Sequence, residues 1–350
     1  MRYELPATED RAIWDIWLSM HRLPAMAVAD ELGIFAALDE APATVAETAQ
    51  RLRLNRRGTH VLLSLLTALG LLGLRDGRHE ITDAARTYLL PKSPYYWGPL
   101  LASLGVVPEQ HAALVRALRA PDDERSHAGL PRTDAGGADD PADAWKRGQI
   151  DRATAEVVTR IMHCHSLPAS VGAARNGNVQ GVTRLLDVGG GSGCFSVAIA
   201  QHFPSIRCTV LELAAVCDVA RGYIAEGGVS DRVDTISIDM FREPWPRGYD
   251  GMFFSNIFHD WDLETNQLLA RRAYEALEPG GRILIHEMLL AEDGSGPVTT
   301  ASFSMLMLLG THGRQYSFSE LRQILTAVGF TDVEARPTYG YYSVVSGRKV

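Results

Sequence analysis

A run of glycines follows an aliphatic segment near the middle of the chain, in TRLLDVGGGSG at residues 183–193. A strand that ends in glycines lets the backbone approach a ligand more closely than side chains would allow. A dinucleotide-binding fingerprint would require glycine where Cys194 stands, and Gly193 falls one residue early. The pattern predicts a ligand loop from Asp187 to Gly193 that holds a nucleoside without a pyrophosphate, and it disfavours an NAD-dependent dehydrogenase.

Acidic residues stand at the ends of the next two predicted strands. Glu212 ends the run TVLE, where a carboxylate can accept both hydrogen bonds of a ribose diol. Asp239 follows the third strand, in IDMF, where it can accept a hydrogen bond from an adenine amino group while Met240 or Phe241 packs on the ring. Because the carboxyl ends of parallel strands meet at one edge of a sheet, these residues predict an adenosine site.

A histidine follows the fourth predicted strand, in NIFHDW. His259 would lie at the carboxyl edge of the sheet, where ligands bind in such folds. An imidazole with an ordinary pKa near ~6.5 suits proton abstraction at neutral pH. We predict that His259 is a general base, and the alternative is a histidine with a structural hydrogen bond.

Two differently patterned regions must position these residues. Apolar residues recur at helical spacing over residues 1–120, and within them the segment from Thr44 predicts two helices followed by a hairpin at Asp76-Gly77, a winged-helix outline. Residues 121–182 predict connecting helices and a loop at 121–143, contributing to a substrate pocket. Over residues 183–350 short strands alternate with helices, which predicts an α/β domain with a mainly parallel sheet.

Composition limits the possible partners. Hydrophobic residues make up 46% of the 350 positions and charged residues 22%, as in ordinary folded proteins. The formal charge of -8 opposes binding to a phosphate backbone, so we predict no nucleic-acid partner. The apolar run from Val61 to Leu74 is shorter than the ~18 residues of a membrane span, which predicts no membrane association. Four cysteines without CxxC spacing indicate reduced thiols and a cytoplasmic protein.

The chain resembles the plant-type, caffeate O-methyltransferase-like family over nearly its whole length, through the motifs LLDVGGGSG, VLELAAV, DMF, IFHDW, LEPGGRILIHE and TYGYYSVV. The resemblance implies a Rossmann-like class I methyltransferase domain with a seven-stranded sheet, preceded by a winged-helix-like dimerisation domain in an interlocked homodimer. It also implies S-adenosylmethionine as the cofactor of a small-molecule methyltransferase. The residues predicted to bind this cofactor are Asp187, Gly189, Gly191, Glu212, Asp239, Met240, Phe241 and Ser255, the last where plant members often have lysine.

The same resemblance makes His259 the catalytic base for O-methylation and assigns Glu287, in ILIHE, as an acid that supports it. One base is sufficient, because a sulfonium already carries an activated methyl group. Where many members read GGRERT this chain reads THGRQYS, which places the neutral Gln315 at a second supporting position. The resemblance places further histidines near the acceptor pocket, namely His163, His165, His286 and His312.

Two other functions remain open at this point. A related group of α-keto acid C-methyltransferases resembles the arrangement of His259, Asp260 and His312, which would hold a divalent or ferric metal that stabilises an enolate. A non-catalytic, cofactor-binding regulator is the other alternative, because RLRLNRRGTH is a basic stretch in the winged-helix outline.

Overall fold

A computed structural model describes residues 1–98, 101, 108–120 and 150–350. The loop predicted at 121–143 lies outside the described residues. The chain forms two compact units, an α/β unit of Met1–Arg11, Arg132–Leu289 and Phe318–Val350, and a helical unit of Ala12–Pro131 and Leu290–Ser317. The predicted boundaries, 1–120, 121–182 and 183–350, are contiguous in sequence, whereas the two units are not.

The described helices and strands are named here in chain order. The helices are α1 (Arg11–Leu18), α2 (Arg22–Glu31), α3 (Ile34–Glu40), α4 (Val45–Leu52), α5 (Arg56–Ala68), α6 (Asp83–Tyr88), α7 (Pro108–Arg119), α8 (Arg152–Asn176), α9 (Cys194–His202), α10 (Ala214–Gly227), α11 (Leu263–Ala276), α12 (Val298–Gly310) and α13 (Phe318–Val328). The strands are β1 (Leu72–Arg75), β2 (Arg78–Ile81), β3 (Arg184–Val188), β4 (Arg207–Glu212), β5 (Val233–Ser237), β6 (Tyr249–Ser255), β7 (Leu277–Met288), β8 (Thr331–Tyr339) and β9 (Tyr342–Arg348). Short 3-10 turns span Ser19–His21 and Phe258–Asp260.

The α/β unit contains a seven-stranded sheet in the order β5-β4-β3-β6-β7-β9-β8. The first five strands of this order pair in parallel, and β9 pairs antiparallel with both β7 and β8. Central strands such as β3 and β6 are buried along most of their length, which requires the apolar runs seen in the sequence. The order reverses between β3 and β6, and such a switch point places a ligand crevice beyond the carboxyl ends of these strands.

The helical unit has the predicted winged-helix outline. Helices α4 and α5 precede the hairpin of β1 and β2, whose connecting residues Asp76 and Gly77 both have positive φ, at 50° and 73°. A two-residue turn of this kind matches the right-handed twist of the strands that it joins. The hairpin predicted at Asp76-Gly77 is therefore present.

Helix α12 lies in the helical unit, although it follows the strands of the sheet in sequence. It is apolar on nearly all sides, and Ala301, Met305 and Leu308 enter the same core as Leu62 and Leu65 of α5. A helix that is hydrophobic all round requires cover on every face. This requirement explains why Leu290–Ser317 joins the N-terminal helices, where the predicted boundary assigned it to the methyltransferase domain.

Two arginines of the basic stretch RLRLNRRGTH make hydrogen bonds within the helical unit. Arg57 donates to the carbonyls of Leu308, Thr311 and Gly313 at the end of α12, over 3.1, 2.8 and 3.0 Å. Arg51 donates to the carbonyl of Ala37 over 2.5 Å. Cationic side chains suit the carbonyl end of a helix, so Arg57 stabilises α12.

In the described part of the chain, no helix is both long enough and apolar enough to cross a membrane.

Candidate active site

Three of the five residues in the loop between β3 and α9 have backbone in the left-handed region. Gly189, Gly191 and Gly193 have φ of 69°, 55° and 73°, a conformation that costs glycine little and other residues more. The Gly189 N–H donates to the carbonyl of Leu211 over 2.9 Å, which fixes the start of the loop against β4. Among the described atoms, nothing lies within 4 Å of the position that a Cβ on Gly191 would take, so the loop leaves open space there.

Glu212 ends β4 beside this loop, as predicted. Its Oε1 accepts from the Gly191 N–H over 3.2 Å and its Oε2 accepts from the Leu213 N–H over 2.9 Å. Burial raises the pKa of this carboxyl to about 7, although both backbone hydrogen bonds favour the charged form. A carboxylate oxygen can accept more than one hydrogen bond, so Glu212 keeps acceptor capacity for a neighbouring ligand.

Asp187 supports the loop from below and has no exposed surface. Its Oδ2 accepts from the hydroxyl of Ser196 over 2.7 Å, and burial raises its pKa to about 6. A Cβ on Gly190 would lie 2.7 Å from the Asp187 carboxyl carbon, so the loop can fold over Asp187 only with glycine there. The structure therefore places the Asp187 carboxylate beneath the loop, and the contact with the cofactor that the sequence predicted stays a prediction.

Asp239, Met240 and Phe241 form a turn just after β5. Asp239 accepts from the Phe241 N–H over 2.9 Å and pairs with Arg242 over 2.5 Å, and 14% of its side chain is exposed. The ring of Phe241 packs edge-on against Trp261, with the centroids 4.8 Å apart. This contact joins the turn after β5 to the segment after β6 that carries the predicted base. Most of the Asp239 carboxylate is thus engaged within its own turn.

His259 lies on the 3-10 turn Phe258–Asp260 that follows β6, and only 4% of it is exposed. Its Nδ1 lies 2.8 Å from Oε2 of Glu287, near the end of the adjacent strand β7. Its Nε2 lies 3.6 Å from Oδ1 of Asp260. Burial disfavours the charged imidazole, but the carboxylates of Glu287 and Asp260 outweigh it and the pKa of His259 lies above its ordinary value.

Family models match most of this chain. One described as an O-methyltransferase domain matches residues 134–331, and one described as an O-methyltransferase dimerisation domain matches residues 14–91. This chain belongs to the O-methyltransferase family. The methyltransferase is similar to a 3-hydroxy-5-methyl-1-naphthoate 3-O-methyltransferase from Streptomyces sahachiroi, with 34% identity over 96% of this chain and 94% of the relative.

Two further similarities support the same family and fold. An L-tyrosine C(3)-methyltransferase from Streptomyces lavendulae is 30% identical over 86% of this chain and 81% of that protein. The crystal structure of an O-methyltransferase family 2 protein from Planctomyces limnophilus, in complex with apigenin, matches all of both chains with a TM-score of 0.86 and 28% identity. The predicted family and the predicted class I methyltransferase fold are confirmed, and the protein is an S-adenosylmethionine-dependent methyltransferase.

The residues at the strand ends fit this cofactor. The open space at Gly191 accepts a group that a side chain would exclude, and Glu212 beside it offers a buried carboxylate to a diol. The rings of Phe241 and Trp261 lie at the same edge of the sheet. When bound, S-adenosylmethionine supplies a methyl group already activated by its positive sulfur.

Sequence reasoning missed Asn266, which supports the turn that carries His259. This fully buried residue of α11 donates from Nδ2 to the carbonyls of Phe258 and Trp261 over 2.8 and 3.1 Å. The amide thereby closes the turn on both sides of the histidine. A polar residue on the apolar face of α11 was the available signal, since a buried amide must find hydrogen-bond partners.

The other histidines have different surroundings. His286 is fully buried, bonds to Ser255 over 3.0 Å and to Thr338 over 2.9 Å, and burial lowers its pKa to about 3. Burial, together with the nearby His259, lowers the pKa of His165 to about 4. These two histidines are neutral at physiological pH, and His286 holds the predicted cofactor residue Ser255.

The ligands of the metal alternative are divided between the units. His259 and Asp260 are adjacent in the α/β unit, whereas His312 belongs to the helical unit, together with Gln315. Gln315 is buried, and its backbone N–H donates to the hydroxyl of Ser304 over 3.0 Å. Within the described ranges, no group of three or more His, Cys, Asp or Glu side chains could hold a metal ion.

Proposed function

We propose that this methyltransferase transfers a methyl group to a hydroxyl of a small aromatic metabolite, with His259 as the general base. The observation that carries this proposal is the buried pair of His259 and Glu287 at the carboxyl ends of β6 and β7. A carboxylate facing Nδ1 favours a proton on that nitrogen, which leaves the lone pair of Nε2 to accept a proton from the acceptor. Charge on Glu287 then stabilises the imidazolium that forms.

The cofactor would be held by backbone and carboxylates at the strand ends. In this arrangement the open space at Gly191 allows close approach, Glu212 accepts from the ribose, and Ser255 offers a hydroxyl held by His286. Gly189 contributes backbone to the site, and its missing side chain leaves room for Ile257. The adenine would pack on Met240 and Phe241, with Asp239 accepting from its amino group. We assign Asp187 a supporting role beneath the loop, because its carboxylate is enclosed.

The decisive experiment is transfer of an isotopically labelled methyl group from S-adenosylmethionine to a panel of acceptors, with and without a chelator. The naphthoate substrate in the name of the Streptomyces sahachiroi relative makes hydroxynaphthoates and phenols the first choice. We expect the product to be a methyl ether, formed at the same rate with and without the chelator. If the methyl group were transferred to a carbon of an α-keto acid and the chelator abolished this transfer, the result would support a metal held by His259, Asp260 and His312. Transfer to a ring carbon would contradict the proposal that the acceptor atom is a hydroxyl oxygen.

Replacement of Glu212 by glutamine is expected to weaken binding of S-adenosylhomocysteine by about 10-fold, because one charge-assisted hydrogen bond to the ribose becomes neutral. Isothermal titration calorimetry measures this affinity directly. Glu264→Gln is the matched control, since this glutamate is exposed in the first turn of α11. Equal affinities of Glu212→Gln and the wild type would show that Glu212 does not hold the ribose.

We further propose that the chain forms a homodimer through the apolar face of its first helices, which we define as Ile13, Ile16, Met20 and Leu23. These side chains are between 41% and 71% exposed in one chain, and most of them lie within the match to the dimerisation domain. An exposed apolar surface of this kind marks an interaction site. A second copy of the chain is the partner that the family match indicates.

The double variant Ile13→Glu/Ile16→Glu is expected to shift the protein from dimer to monomer, because four charges would be buried in a symmetric interface. Sedimentation velocity at micromolar concentration measures the mass. Leu263→Glu/Leu268→Glu is the matched control, as these leucines are 47% and 41% exposed on α11. A monomeric wild type, or a dimer that survives the double change, would contradict this interface.

A cytoplasmic location is also proposed. All four cysteines carry free thiols, and Cys164 is exposed. Exposed thiols persist in reducing compartments, which supports this prediction. The formal charge of -8 supports the accompanying expectation that nucleic acid is not a partner.

A further inference from the structure

The part of the cofactor loop between β3 and α9 contains one residue with a side chain. Residues 189–193 read GGGSG, so Ser192 alone can anchor the loop through side-chain contacts. Only 4% of Ser192 is exposed, and it is flanked by Gly191 and Gly193, both in the left-handed region. Glycine loses more conformational freedom on ordering than any other residue, so a loop of this composition requires a fixed point to keep one shape.

His163 provides that fixed point from helix α8. Its Nδ1 lies 2.8 Å from the hydroxyl oxygen of Ser192, within hydrogen-bond distance. The imidazole stacks on the ring of Tyr223 in α10, with centroids 4.2 Å apart and planes 24° apart. Tyr3 approaches the imidazole edge-on at 6.4 Å. Contacts on the face and at the edge of the imidazole ring thus fix its orientation, and its Nδ1 is directed at the loop.

The surroundings of His163 favour the neutral form of its imidazole ring. Burial holds the pKa of His163 below its ordinary value, and the carboxylate of Glu226 offsets only part of that effect. A neutral imidazole can donate to or accept from a hydroxyl, and a serine hydroxyl rotates to suit either case. The pair is therefore satisfied in both tautomers of the histidine.

We propose that His163 is a positioning residue for the cofactor, acting through Ser192 on the backbone of Gly191 and Gly193. This inference rests on the proposed role of the loop in binding S-adenosylmethionine. His163 itself does not face the methyl acceptor in this assignment, although the family resemblance predicted a place near the acceptor pocket. Its contribution is to reduce the conformational freedom that the loop loses when it binds.

The test compares His163→Ala, His163→Asn and Ser192→Ala. We expect His163→Ala and Ser192→Ala each to weaken binding of S-adenosylhomocysteine by about 3- to 10-fold, the effect of one hydrogen bond. His163→Asn should recover most of the affinity, because an asparagine amide places a polar atom near the position of Nδ1. The double variant should bind about as weakly as Ser192→Ala alone, because that change already removes the contact with His163 along with the one to the Cys194 thiol.

Two further readouts separate positioning from catalysis and from general destabilisation. Amide hydrogen exchange of Gly191 and Gly193 should accelerate in ligand-free His163→Ala, and kcat at saturating cofactor should stay within about 2-fold of the wild type while KM for the cofactor rises. His202→Ala, an exposed histidine on α9, is the matched control. A thermal melt of each variant confirms that it is folded.

Three results would overturn the inference. Affinity and exchange that remain unchanged in His163→Ala would show that the loop does not depend on this histidine. Equal weakening in His163→Ala and His163→Asn would assign the effect to stacking on Tyr223 and not to the hydrogen bond. A fall in kcat at saturating cofactor would indicate a role in the chemistry. Failure of the wild type to bind S-adenosylhomocysteine would instead contradict the proposed role of the loop itself.

Discussion

His259→Ala is expected to lower kcat by about 10²- to 10⁴-fold, the range for loss of a positioned general base. The imidazole is buried between two carboxylates at the edge of the sheet, so water cannot readily replace it. The affinity for S-adenosylhomocysteine should stay within about 2-fold, because the loop and Glu212 are untouched. The measurement is methyl transfer at saturating cofactor, beside calorimetric binding to the same preparation.

The control for this variant is His202→Ala, which removes an exposed imidazole of α9 and should leave kcat unchanged. His259→Gln adds a second test, since glutamine retains polarity but cannot accept a proton at neutral pH. A kcat for His259→Ala within about 10-fold of the wild type would mean that the acceptor loses its proton to solvent or to another group. In that case His259 would only shape the pocket.

The ends of the parallel strands were predictable from sequence because the fold imposes their neighbourhood. Once residues 183–193 indicated a first β-α turn, the next strands had to end at the same edge of the sheet. Glu212, Asp239 and His259 follow those strands in sequence, and the structure brings all three to that edge. Glu287 was placed by family resemblance, and its pairing with His259 follows from the adjacency of β6 and β7.

Side-chain direction was not predictable in the same way. Asp187 lies in the sequence run that leads to the loop, yet its carboxylate bonds to Ser196 beneath the backbone. Helix α12 follows the sheet strands in sequence, but its apolar surface is covered in the other unit. The partner of Ser192 is His163, 29 residues earlier in the chain, and no local pattern encodes such a contact.

The histidines of the α/β unit show how one residue type acquires opposite electrostatics. His286 is fully buried and His165 is partly buried, and burial is the main cause that lowers the pKa of each, to about 3 and about 4. His259 is also buried, but Glu287 and Asp260 raise its pKa above the ordinary value. Burial favours the neutral ring, so the carboxylates decide which histidine can take up a proton. A substitution of Glu287 is therefore the direct test of how charge near His259 affects catalysis.

Glu287→Gln is expected to lower kcat by about 10²-fold, as loss of a buried charge-assisted contact of roughly 2 to 3 kcal/mol would give. Glutamine keeps the size of the side chain and can still accept from Nδ1, so the ring stays in place while the negative charge is removed. The change should therefore weaken the stabilisation of the imidazolium while it leaves the orientation of the ring largely unchanged. Glu264→Gln, at an exposed glutamate of α11, is the matched control.

The same variant should move the acid limb of the pH–rate profile to lower pH. A base acts only when neutral, so the wild-type rate falls as the pH drops through the raised pKa of His259. Glu287 raises that pKa, and removing its charge lowers it, so the ring stays neutral in more acidic solution. The maximal rate of the variant is therefore lower than that of the wild type, but the variant keeps its maximal rate down to a lower pH. A plateau that falls with an unmoved acid limb would show that Glu287 orients His259 without tuning its charge.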